Sequence, residues 1–219
     1  MSKKKLPVNS EATMSYYAEE KFRSEIRDRE LGFTIESVEK EIETRLAREG
    51  GSTSQTWNHL SPQVFQTPYD ELARIVHEVD PESRLENWAD LGAAYGRLGI
   101  VLAQLRPRAR FTGIELVPER VKEGRRVYAS LGLSPESLIE ADLAKCAIPA
   151  AELYFIYDFG IREEIGRVLI ALQAHARVKP IIVIGRGRGI RDAIEHGHPW
   201  LASVTKPIHS EHYSIYRSA

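Results

Sequence analysis

Trp88-Ala89-Asp90-Leu91-Gly92-Ala93-Ala94-Tyr95-Gly96-Arg97-Leu98-Gly99 decides the fold. Its opening reads as a strand that ends in an acid, and the glycines that follow open a helix. Glycine lets the backbone turn tightly and approach a ligand closely, and a helix N-terminus offers N–H groups that have no partner inside the helix. A cofactor site is implied, because ligands of doubly wound sheets sit beyond the carboxyl ends of the strands. The spacing argues against two common cofactors. Gly92, Gly96 and Gly99 do not make the G-x-G-x-x-G of a dinucleotide site, and the chain has no G-x-x-x-x-G-K-[ST] segment to hold nucleoside triphosphates.

Outward from this stretch, helices and strands alternate. A helix over 68–79 places Tyr69, Leu72, Ile75, Val76 and Val79 on one apolar face, and Asp80-Pro81 ends it. Strands are expected at 87–91, 110–115, 137–140, 153–157, 181–184, 202–206 and 212–216. Helical segments separate the first five. Continuous apolar runs such as Ile181-Ile182-Val183-Ile184 indicate a parallel sheet covered on both faces. The last two strands are joined by too short a loop for a parallel crossover, so they form an antiparallel hairpin at one edge. The expected fold is α/β: a doubly wound, mostly parallel seven-stranded sheet with a helical extension before it.

Residues 1–49 alternate in charge. Ile35, Val38, Ile42 and Leu46 mark a helix, and an amphipathic stretch around 16–26 breaks near Leu31-Gly32 into a separate one. This arm is a substrate lid, an oligomer contact or, in the plainest reading, a solvated helical cap on the domain. Gly50-Gly51-Ser52-Thr53-Ser54 reads as a flexible joint, which gives an arm and linker over 1–54 and a domain over 55–219. The 219 residues suffice for one self-sufficient core, and 30 basic against 31 acidic residues argue against a generic nucleic-acid coat. The single cysteine, Cys146, excludes an intramolecular disulfide and a Cys-based zinc site. With no apolar run of about 18 residues and no signal-peptide pattern, a soluble, cytoplasmic protein is expected.

From about residue 62 to 219 the chain resembles the class I S-adenosylmethionine-dependent methyltransferases. Asp90-Leu91-Gly92-Ala93-Ala94-Tyr95-Gly96 is similar to their first motif, and the resemblance implies that Asp90 and the loop through Gly92, Ala94 and Gly96 hold the methionine end of S-adenosyl-L-methionine. Phe111-Thr112-Gly113-Ile114-Glu115-Leu116 is similar to the second, with Glu115 twenty-five positions beyond Asp90. A carboxylate there accepts both ribose hydroxyls, and Leu116 lies beside it. Glu140-Ala141-Asp142-Leu143 implies Asp142 against the adenine amino group, with Leu143 next to it. The family usually has glycine where this chain has Ala94.

By the same resemblance Asp158 and Phe159 border the methyl acceptor, Asp158 orienting or deprotonating a nucleophile. The plainer alternative makes Asp158 the N-cap of the next helix and Phe159 core. Phe65-Gln66-Thr67-Pro68-Tyr69-Asp70 resembles the approach to the first strand in Dot1-like and small mitochondrial protein lysine methyltransferases. Gln66, Thr67 and Tyr69 are therefore pocket candidates, although Thr67 as N-cap and Pro68 as first helical residue explain the pair equally well. The implied acceptor is a protein lysine nitrogen, or else a small molecule. Nucleic acid ranks third, because Asp158-Phe159-Gly160 lacks a [DNS]-P-P-[YF] run. A binding module without turnover is the reading from another class.

Gly185-Arg186-Gly187-Arg188-Gly189 offers either mobile guanidinium groups for a phosphate or acidic substrate, or a surface turn with solvated arginines. His196, His198, His209 and His212 invite a metal, but H-x-H in a Gly/Pro loop fixes no geometry, so none is assigned. Cys146 reads as a small, partly buried residue and Trp88 as core.

Overall fold

The computed structural model describes residues 15–49 and 62–219; the expected Gly/Ser joint and the domain boundary at 54 lie outside them. In chain order the elements are α1 (Tyr16–Glu30), α2 (Ile35–Glu49), α3 (Pro62–Phe65), α4 (Tyr69–Val79), β1 (Asn87–Leu91), α5 (Arg97–Leu105), β2 (Arg110–Glu115) and α6 (Pro118–Ser130). They continue with β3 (Leu138–Glu140), β4 (Leu153–Tyr157), α7 (Arg162–Ala176), β5 (Ile182–Arg186), α8 (Arg188–Gly197), α9 (Pro199–Ala202), β6 (Ile208–His209) and β7 (Tyr213–Arg217).

One seven-stranded sheet runs in the order β3-β2-β1-β4-β5-β7-β6. Strands β1 to β5 are parallel, and β7 runs antiparallel between β5 and β6. Strand order reverses between β1 and β4, so the loops after β1, β2, β3, β4 and β5 open on one edge at the switch point. Successive strand side chains face opposite sides. Trp88, Leu153, Phe155 and Ile184 pack with the apolar faces of α2, α4, α5 and α6, whereas Ala89, Tyr154, Ile156 and Val183 pack with α7, α8 and Leu201 of α9.

The strand expected at 202–206 is absent. Pro199 starts the short helix α9, and Pro207, which has no N–H to give a ladder, delays the edge strand to Ile208 and His209. At β5 the strand runs on to Arg186, because Gly185 and Arg186 pair with Ser214 and Tyr213 of β7. Pro135–Ser137 is a 3-10 turn, so β3 begins one residue later than expected.

The two-helix arm forms with its break at Leu31-Gly32, but it is no solvated cap. Phe33, Ile35, Val38 and Ile42 join the core on the α4–α6 face. In α1 the apolar residues Tyr16, Phe22 and Ile26 are exposed, and the buried face is Glu20, Ser24 and Asp28. Each of these polar residues has a partner. Glu20 binds Arg74, the Ser24 hydroxyl accepts the Tyr69 N–H at 3.1 Å, and Asp28 binds Arg97 and accepts the Tyr69 hydroxyl at 2.8 Å.

Candidate functional site

The loop after β1 is held from both sides. Gly92 and Ala93 N–H donate to the Ile114 carbonyl at 2.9 and 2.8 Å, and the Tyr128 hydroxyl donates to the Gly96 carbonyl. Gly92 has φ +95° and Gly96 φ +84°, which glycine adopts without penalty. A Cβ at Gly92 would also meet the Phe159 Cβ at 3.0 Å. Between them Ala94 takes φ +48°, a left-handed conformation that costs an L-residue roughly 1–2 kcal/mol.

Glu115 reaches across from the end of β2. Its carboxylate accepts the Ala94 N–H at 2.8 Å through one oxygen and the Val117 N–H at 2.9 Å through the other. A polar clamp therefore joins the two loops. Asp90 is buried beneath the same loop, and burial, aided by the charge of Glu115, pushes its carboxyl up to about 8.

Two cavities flank this loop, and a third lies beyond the end of β4. The first is lined by Gly92, Ala94, Glu115 and Leu116 with Arg120, Ala141, Leu143 and Phe159. The second side of the loop faces a chamber whose wall combines Asp90, Gln66, Thr67 and Arg97 with the apolar Leu72, Leu98 and Phe155. Phe65, Gly92, Ala94 and Tyr157 line both. An open third cavity of about 520 Å³ lies between α1 and α8 and carries Tyr17, Lys21, Arg186, Arg188, Glu195 and Glu211. Tyr157 also lines it, so all three meet at the end of β4.

Of the sequence candidates, the structure brings Asp90, Gly92, Ala94, Glu115, Leu116, Leu143, Asp158, Phe159 and Thr67 to these cavities. Others lie apart. Asp142 turns into its own loop, accepting the Ala144 N–H at 2.9 Å and pairing with Lys145 at 2.9 Å. Tyr69 is in neither wall of the loop cavities; its hydroxyl goes to Asp28. Thr67 makes no capping bond to α4, whose first N–H is taken by Ser24, and Pro68 stands at the cap position. Asp158 caps α8 rather than the next helix, accepting Gly189 N–H at 3.0 Å and Ile190 N–H at 2.7 Å; burial raises its pKa. In α7 the first turn is closed by Glu164, which accepts the Ile161 N–H.

Arg186 is neither mobile nor solvated. It is 3% exposed, lies over the Tyr157 ring at 4.3 Å, and binds Glu71 at 2.9 Å and the Tyr17 hydroxyl. Arg188 is exposed and pairs with Asp192. Among the described residues no group of three or more His, Cys, Asp or Glu is arranged to hold a metal. His198 accepts the Trp200 indole N–H and His209 bonds Ser214. Cys146 is partly buried and Trp88 is in the core. No helix of the described residues is long and apolar enough to cross a membrane.

Sequence reasoning missed Arg120 and Glu39. Arg120 lines the first cavity, donates through Nε and Nη2 to Glu39 of α2 at 2.8 and 2.9 Å, and lies over the Phe65 ring at 4.3 Å. Glu39 also accepts the hydroxyl of Tyr95, inside the glycine loop, at 2.7 Å. No short motif signals a pair 81 residues apart.

No protein-family model and no curated protein sequence matches the chain. Solved structures do. An RNA methyltransferase from Salinibacter ruber in complex with S-adenosyl-L-homocysteine is similar over 69% of this chain and 91% of its own, with a TM-score of 0.50 and 20% identity. The mitomycin 7-O-methyltransferase MmcR reaches 0.51 at 16% identity, over 68% of this chain and 52% of its own. A variant of MtNAS in complex with S-adenosylmethionine reaches 0.51 at 15% identity, over 68% of this chain and 60% of its own. The chain thus spans little more than half the length of the latter two. Strand order, the reversed edge strand and these likenesses together give the chain the fold of the class I S-adenosylmethionine-dependent methyltransferases.

Proposed function

We propose that the chain binds S-adenosylmethionine and transfers its methyl group to a nucleophilic acceptor. The observation that carries this is the meeting of three unlike cavities at Tyr157: a cleft with apolar residues and Glu115, a chamber with Asp90, and an open, charged mouth. The residues fit the cofactor. Leu116, Ala141 and Leu143 offer apolar surface for adenine, and Glu115 retains lone pairs for ribose hydroxyls beyond those given to Ala94 and Val117. The Asp90 carboxyl lines the chamber, where an ammonium can meet it. When bound, the cofactor supplies a methyl group on a positively charged sulfur, a good leaving group.

The protein's share is positioning, which can contribute on the order of 7 to 11 kcal/mol. Tyr157 and Phe159 border the place where donor and acceptor meet. Asp158, with both oxygens on α8 N–H groups, holds β4 to α8 as a positioning residue. For the acceptor we favour a protein lysine nitrogen, on the resemblance around Thr67-Pro68. A small molecule is the alternative. One observation favours a binding module without turnover: the Ala94 side chain stands where both loop cavities meet.

Glu115→Ala tests the cofactor assignment. Equilibrium binding of S-adenosylhomocysteine is expected to weaken at least tenfold relative to the parent chain. Unchanged affinity removes Glu115 from the site.

A further inference from the structure

Gln66 is 3% exposed, and neither its Oε1 nor its Nε2 has a hydrogen-bond partner. A buried amide left unpaired has lost its hydrogen bonds to water without replacement, so both ends being unpaired calls for an explanation. The side chain lines the chamber that also holds the Asp90 carboxyl and the Arg97 guanidinium. Around it the polar groups are committed: Arg97 gives Nη1 to the Thr67 carbonyl and its other groups to Asp28. Within reach of one ligand the chamber therefore presents a carboxylate, an amide acceptor and an amide donor.

That set matches an α-amino acid head. Its ammonium needs acceptors, which Asp90 and Gln66 Oε1 provide, and its carboxylate needs a donor, which Gln66 Nε2 provides. We infer that Gln66, together with Asp90, forms the subsite for the amino-acid head of the cofactor's methionine end, and that Gln66 sets selectivity for ligands carrying that head. This rests on the cofactor reading above. The chamber and the first cavity share Phe65, Gly92, Ala94 and Tyr157, which places them side by side.

Two probes separate the outcomes. S-adenosylhomocysteine carries the amino-acid head; 5′-methylthioadenosine has the adenosine and sulfur without it. In calorimetric titration of the full chain, Gln66→Leu is expected to lose at least tenfold in affinity for S-adenosylhomocysteine while its affinity for 5′-methylthioadenosine stays within about twofold. Leu fills a similar volume with no polar atoms, so the melting temperature without ligand is expected to stay level or rise, which guards against a folding defect. Equal losses for both probes, or no loss for either, with the parent chain binding both, overturn the assignment of Gln66 alone; a resident water satisfying the amide would give the second pattern. Binding of neither probe by the parent chain overturns the cofactor reading and this subsite with it.

Discussion

Replacing Glu39 by alanine isolates what the N-terminal arm does. Glu39 is the acceptor for two guanidinium N–H groups of Arg120 and for the Tyr95 hydroxyl, all in buried surroundings. Burial works against the Arg120 charge, but its hydrogen bonds to Glu39 together with the nearby charges of Glu115 and Glu39 more than offset it, so its pKa is raised. Breaking a buried pair by removing one partner costs about 3–5 kcal/mol, and the lost tyrosine bond about 1 more. For a chain of this size each kcal/mol moves the melting temperature by about 2–4 °C, so Glu39→Ala is expected to melt roughly 8–24 °C lower. Arg23→Ala is the control. Arg23 and Asp70 are about half exposed, so solvent screens the pair and its loss is expected to leave the melting temperature almost unchanged. Thermal unfolding of the full chain followed by circular dichroism reads both. Because Arg120 also lines the first cavity, Glu39→Ala is expected to weaken S-adenosylhomocysteine binding as well, and Arg23→Ala is not. If the two variants melt within about 1 °C of one another, the arm is the solvated cap that its sequence suggests and the buried network is not holding the site.

Asp90 gives a pH signature. Its carboxyl titrates near 8 in the folded chain against about 3.9 unfolded, so between those values the folded state holds a proton that the unfolded state has lost, and stability falls as pH rises through that window. Asp90→Asn is therefore expected to melt above the parent at pH 8 and together with it below about pH 4, while binding S-adenosylhomocysteine more weakly; a constant difference across pH contradicts the buried, protonated carboxyl. Binding of an ammonium at Asp90 at pH 7 is expected to release protons, seen as a buffer-dependent enthalpy in calorimetry. Ala94→Gly relieves a left-handed alanine at the cost of a looser unfolded chain, so it is expected to stabilise by about 0–1 kcal/mol and to leave or improve cofactor affinity; a destabilised variant contradicts the strained backbone.

The sheet was legible because parallel strands buried on both faces read as apolar runs, and because the loop after β1 puts an acid and glycines at a strand end. The edge was not. Residues 202–206 have strand-like composition, but the prolines at 199 and 207 decide what the backbone can do there. The arm misled for a different reason. Hydrophobic phase assigns the apolar face inward, yet α1 buries Glu20, Ser24 and Asp28 and exposes Tyr16, Phe22 and Ile26, because Arg74 on α4 and the buried Arg97 on α5 pair with those carboxylates. Likewise Arg186 read as solvated from its glycine-rich setting, and only the fold reveals Glu71, 115 residues away, as its partner. Strand ends, together with the resemblance to the methyltransferase motifs, brought Asp90, Glu115 and Phe159 near one another. Gln66 is a pocket candidate from the sequence, but only the fold shows its amide buried without a partner.

The measurement closest to the central claim is calorimetric titration of the full chain with S-adenosylmethionine and S-adenosylhomocysteine. Saturable binding of one equivalent at micromolar levels, lost or much weakened in Glu115→Ala, is the expected result. A well-folded chain that binds neither would contradict a cofactor site at the glycine loop and leave the methyltransferase fold serving some other purpose.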